Sequence, residues 1–241
     1  MVVPAAIAQL VERFEEQSDT YLSPKYNETQ ARREFIDPFF KALGWDIDNT
    51  QGFSEAYKDV VHEEAITVAG SHRAPDYSFR VGGTRKFFLE AKKPAISISI
   101  EDKAAFQLRR YGWSAKLALS VISSFRELAL YDCRIKPEKN DKPTVARILY
   151  MTYDQYADRW DEIANVLSKT AVYKGAFDRF IESTKLKKGT AEVDDAFLAE
   201  IEKWRDILAR NIALRNPALH QQHLNFAVQA TIDRIIFLRN L

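Results

Sequence analysis

The sequence predicts an α/β fold, a mixed sheet flanked by helices and followed by a carboxy-terminal helical extension. Between about Val60 and Cys133, short β-rich runs alternate with turn signals around one helix. Two of those runs meet at Gly82-Gly83 and so pair antiparallel, while the helix after them can cross over to a parallel neighbour. From Asp154 onward the apolar period is close to that of a helix. The chain is therefore divided into residues 1–150 and a helical extension, residues 151–241.

The opening MVVPAAIAQL keeps helical phase into Val11 and Phe14 and has no basic leader, so it reads as an amphipathic helix rather than a signal peptide. Thr29 to Leu43 places Phe35, Ile36, Phe39, Phe40 and Leu43 on one face, with Gly44 at the C-cap and a kink or break due at Pro38. Val60 to Val68 reads as one strand despite Glu63 and Glu64, and Asp76 to Val81 alternates like a half-buried strand. Gly82-Gly83 then turns into Arg85 to Lys92, which makes a β-hairpin. Ala95 to Ile100 fits a strand or an extended loop. A helix comes next, from Glu101-Asp102 to about Trp113, then β runs at Leu117 to Ile122 and Glu127 to Cys133. Lys136 to Pro143 is a charged surface loop. Tyr156, Trp160, Ile163 and Leu167 mark an amphipathic helix, and a break is expected at Thr184 to Thr190. Helix resumes from Asp194 to Ala213, Asn216-Pro217 interrupts it, and Leu224 to Leu241 is a last, uncapped helix, as if cut within a longer protein.

With 46% hydrophobic and 12% aromatic residues in 241, the chain can bury an ordinary core, which excludes disorder throughout. A net charge of +1 excludes a global cationic field, so a nucleic-acid site must be a local patch. Cys133 is the single cysteine, which excludes an intramolecular disulfide and a cysteine zinc cluster and makes a reducing cytoplasm the expected location. No run of 18 apolar residues marks a membrane span.

The hairpin carries the chemistry. Alternation puts Phe88, Glu90 and Lys92 on one face and Phe87, Leu89 and Ala91 on the other, and Asp76 lies across from them. Two carboxylates and an ammonium can thus converge. Hard oxygen ligands that leave positions for water and phosphate suit Mg²⁺, which polarises a phosphodiester and lowers the pKa of a bound water. Asp76 as a turn residue, with Glu90 and Lys92 as an ion pair on a wet face, is the bland alternative. The apolar run around Glu90 argues against it, because an unpaired charge there is costly. Gln107 and Tyr111 share a helical face and can hold a water or a phosphate oxygen. Arg73, Lys93, Arg109 and Arg110 are candidate phosphate contacts, and Glu34 is a candidate third carboxylate.

Pro75-Asp76, Glu90-Ala91-Lys92 and Gln107-x-x-x-Tyr111 together resemble the PD-(D/E)xK nuclease superfamily, in the subgroup with a QxxxY motif. Phe87 to Pro94, Gln107 to Ala115, Leu130 to Arg134, Lys174 to Arg179, Asn211 to Pro217 and Ala227 to Arg239 extend the likeness to the amino-terminal nuclease domain and connector of type IIG restriction-modification enzymes. The resemblance implies a restriction-endonuclease-like fold and an Mg²⁺-dependent DNA endonuclease, with Mn²⁺ able to substitute. It makes Asp76, Glu90 and the Ala91 carbonyl the metal ligands, Lys92 the catalytic lysine, Gln107 a supporting group, and Glu34 the helical glutamate before the core. It also implies double-stranded DNA as partner, with methyltransferase and target-recognition domains downstream in the parent chain. No Asn-Pro-Pro-Tyr motif or phosphate-binding glycine loop is present, so neither S-adenosylmethionine nor ATP is expected to bind here. Two other readings stay open: the nuclease domain of an ATP-driven restriction motor, and a catalytically silent DNA-binding or docking module. The recognised DNA sequence, the number of metals and the oligomeric state are not encoded in these motifs.

Overall fold

The computed structural model describes residues 3–68, 70–175, 179, 204–205 and 207–239. The chain divides into two compact units, Met1–Leu186 and Lys187–Leu241. The expected break at Thr184 to Thr190 and much of the helix expected from Asp194 lie outside the described residues.

The first unit is built on six strands: β1 (Val60–His62), β4 (Tyr77–Val81), β5 (Thr84–Ala91), β6 (Leu119–Ser123), β7 (Glu127–Asp132) and β8 (Arg147–Thr152), side by side in the order β1-β4-β5-β6-β7-β8. The β5–β6 pair is parallel and every other pair antiparallel, so the sheet is mixed, as predicted. The crossover from β5 to β6 is α5 (Asp102–Ser114). Both faces are covered. On one, Phe87, Leu89 and Ala91 join a core with Ile7, Leu10 and Phe14 of α1 (Ala5–Glu16), Phe39 and Phe40 of α4 (Asp37–Ala42), and Ile163 and Leu167 of α6 (Trp160–Leu167). On the other, Phe88, Ile122 and Tyr131 pack against Leu108 and Tyr111 of α5. The arrangement is a restriction-endonuclease-like α/β fold.

Three elements depart from simple periodicity. Val60 to Val68 is not one strand: Glu63 takes a left-handed φ of 50° and turns the chain out of the sheet. Ile66–Val68 becomes β2 and pairs with β3 (Ser71–Arg73) as a separate hairpin. Ala95 to Ile100 is loop, because β5 already has neighbours on both edges. Buried Glu127 pins it, accepting from the Ser97 hydroxyl at 2.9 Å and the Ser99 N–H at 3.0 Å.

The helix ahead of the sheet holds the third departure. Beyond the short α2 (Ser18–Tyr21) it opens at α3 (Glu28–Ala31), capped by Asn27 and Gln30 in a reciprocal box, passes through a π turn at Arg32–Ile36 and continues as α4. Pro38 explains the turn. Proline has no N–H to give the carbonyl four residues back, and its ring crowds that carbonyl. The Asp37 N–H reaches five residues back to Arg32, and the stranded Glu34 carbonyl accepts from the Arg13 guanidinium instead. The expected kink is thus a one-residue bulge.

After β8 come α6 and α7 (Lys169–Tyr173). In the second unit, residues 207–215 are helical, the chain breaks at Asn216-Pro217, and α8 (Gln221–Arg239) completes it, with Val228 and Ile232 buried. Among the described residues, no helix is long and apolar enough to cross a membrane.

Candidate active site

The hairpin register sets the site. Tyr77 pairs with Leu89 and Ser78 with Phe88, so Asp76, just before β4, meets the end of β5. Its Oδ2 accepts from the Ala91 N–H at 2.7 Å. Parallel pairing of Ala91 with Ser123 holds the strand end, and the Lys92 N–H extends it to the Ser123 carbonyl at 2.9 Å.

Glu90 is the centre. Its residue exposure is 5%, yet it carries a carboxylate. Oε1 accepts from the Lys92 ammonium at 2.9 Å and the Gln107 amide at 2.7 Å. Oε2 is buried and accepts no hydrogen bond among the described residues. Burial, partly offset by Lys92 and reinforced by Asp76, pushes the Glu90 pKa up to about 7. Burial opposes the charge of Lys92, but Glu90 outweighs it and holds the lysine pKa above its ordinary value.

The structure thus brings together Asp76, Glu90, Ala91, Lys92 and Gln107. Lys93 is near enough to Glu28 to favour that carboxylate's charged form. Tyr111 is largely buried; its hydroxyl pKa is raised by burial and Glu90 and opposed by Arg73 and Arg110, which places all three around it.

Two expected residues point elsewhere. Glu34 lies in the π turn, and its carboxylate is near the Tyr26 phenol, where it adds to burial in raising that group's pKa. The helical glutamate that faces the cluster is Glu28, 3.9 Å from the Lys92 ammonium, its own pKa raised by burial. Arg109 is not on the flank: at 1% exposure it is buried, bonding Asp141 at 2.6 Å and the Ile135 and Lys136 carbonyls at 3.3 and 3.5 Å. Neighbouring helix residues point about 100° apart, so Arg110 faces outward and Arg109 inward.

Sequence reasoning missed Glu28 and Arg32. Arg32 sits 3.5 Å from Asp76 Oδ1, donates to the Tyr77 hydroxyl at 3.2 Å and lies over that ring at 4.7 Å. The Asn27-x-x-Gln30 capping box was the available signal, since it fixes the helix start and places Glu28 and Arg32 four apart. Cys133 is core, its thiol pKa pushed up to about 12 by burial.

The donor set fits a hard divalent cation. Glu90 Oε2 is an orphaned acceptor beside Asp76, and cation binding would offset the cost of burying it. Among the described residues no three His, Cys, Asp or Glu side chains group closely enough to hold a metal alone. Waters and substrate oxygens would complete the shell, as Mg²⁺ accepts.

No family model and no solved structure matches the chain. The chain does match a curated protein: over 235 residues and 97% of its length, it is 40% identical to the type II restriction enzyme and methyltransferase RM.Eco57I of Escherichia coli, of which it spans about a quarter (24%).

Proposed function

We propose that the chain is the nuclease module of a restriction-modification enzyme, hydrolysing phosphodiester bonds of double-stranded DNA with a divalent cation, Mg²⁺ or Mn²⁺, at Asp76, Glu90 and the Ala91 carbonyl. The observation that carries this is the divided carboxylate of Glu90. One oxygen is held by Lys92 and Gln107, and the other, buried and unpartnered, is left for a cation beside Asp76.

When bound, the cation supplies charge that polarises the phosphodiester and lowers the pKa of a water. The protein does the rest. Asp76 is fixed by the Ala91 N–H and Arg32, so its carboxylate needs little reorganisation. Gln107 fixes the rotamer of Glu90 and thereby the direction of Oε2. Lys92, charged at neutral pH, stands beside the same carboxylate and is placed to orient the attacking water and stabilise charge developing on phosphate. Glu28, close to Lys92, is placed to keep that ammonium aimed into the site.

The relative's description joins restriction and methyltransferase activities in one protein, and this chain spans a quarter of it. That favours a parent of the type IIG kind, with methyltransferase and target-recognition domains downstream, over a helicase motor.

Plasmid nicking by the whole chain in Mg²⁺ or Mn²⁺ tests the reading. Lys92→Ala and Asp76→Ala are each expected to lower the rate about 10²-fold or more. Undiminished cleavage in both variants would sink the site.

A further inference from the structure

Several cations of the first unit have carboxylate partners, among them Arg80 and Arg85 on Glu64, Arg109 on Asp141, Arg134 on Asp132, and Lys169 on Asp59. Arg73, Lys103, Arg110 and Lys139 have none among the described residues, and all four line one recess of about 590 Å³ beside α5. The recess carries a single carboxylate, Asp102. In a chain of net charge +1, this convergence marks an anion site rather than general basicity.

Its walls are not only cationic. The rings of Phe106 and Tyr111 and the amides of Gln107 and Asn140 line it, and Gln107 is the residue that bonds Glu90. The recess therefore adjoins the site where phosphate would be cut. Its volume lies within the range of clefts that enclose a small ligand. A duplex shows proteins base edges and a convex backbone, whereas ring faces, amides and cations together suit a base taken out of the stack with its phosphate.

We propose that this recess receives an unpaired nucleotide of the strand being cut, its phosphate among Arg73, Lys103, Arg110 and Lys139 and its base against Phe106. The inference rests on the nuclease reading above, but its test requires no cleavage.

The test is fluorescence anisotropy of a labelled single-stranded oligonucleotide, and of the same strand in a blunt duplex, with the whole chain in metal-free buffer across a salt series. Single strand is expected to bind more tightly than duplex. The double variant Lys103→Glu, Lys139→Glu, at two exposed positions, should weaken single-strand binding at least tenfold and flatten the salt slope by about 1.4, the share of two phosphates. Phe106→Ala should weaken it about tenfold with the salt slope unchanged. Lys86→Glu, on β5 outside the recess, should leave both at their original values. Three results would overturn the proposal: recess variants that bind like the parent, a preference for duplex lost equally in those variants, or no oligonucleotide binding at low salt. Nicking by Lys92→Ala tests the nuclease reading separately, so either idea can fail without the other.

Discussion

Glu90 shows how function is set against stability in one side chain. Its pKa in the folded protein, about 7, lies above the ordinary 4.5, so the folded state holds a proton that the unfolded chain releases. The stability this proton contributes is fully present below about pH 4.5 and is lost as pH rises through about 7. The loss is on the order of 3 kcal/mol. Glu90→Gln should therefore raise the metal-free melting temperature at pH 8 well above its effect at pH 4.5, as thermal melts in chelator will show; an equal effect at both would refute the assignment. Arg109 offers the opposite case, a buried charge with purely structural partners. Asp141→Ala should cost about 2–3 kcal/mol in urea denaturation, because the guanidinium is left enclosed without a counter-charge. Metal-dependent cleavage per folded molecule should be unaffected. At this scale the sequence showed which side chains alternation and helical spacing bring together: Asp76, Glu90, Lys92 and Gln107. It did not show which of two adjacent arginines turns inward, nor that Glu28 and not Glu34 faces the lysine, because both depend on helical phase set by tertiary contacts.

Among the elements, the β4–β5 hairpin was legible because Gly82-Gly83 supplies the left-handed turn it needs. The break between β1 and β2 was not, since a glutamate at φ 50° gives no glycine-like signal. The seat of α5 on the sheet depends on a glycine for another reason. A Cβ on Gly112 would lie 2.7 Å from Cys133 Cβ and collide with its sulfur, so the bare backbone of the helix rests there directly on the Cys133 side chain, just past the end of β7. Gly112→Ala is expected to destabilise by about 1–3 kcal/mol, read from the denaturation midpoint, because the contact is too tight for a methyl group. Since α5 also carries Gln107, the same change should reduce cleavage by more than the lost folded fraction explains.

For the whole molecule, the mixed sheet was legible from two strands, a helix and a further strand in sequence, because such a helix can serve as the crossover to a parallel neighbour. The sheet, both cores and every candidate site residue lie within Met1–Leu186. A chain ending at Leu186 should therefore melt cooperatively and keep metal-dependent nicking; a broad, non-cooperative melt would contradict this. One bulge governs how the helical layer presents itself to the site. The π turn at Arg32–Ile36 holds one residue more than an α-helical turn needs, so α3 is rotated by roughly 100° relative to α4. Phe39 and Phe40 stay locked in the core while Glu28 and Arg32 are swung over the reacting end of the hairpin. The turn acts as a gear tooth between packing and chemistry, and losing a single residue between Asn27 and Pro38 would leave the barrel of the lock intact and misalign the key.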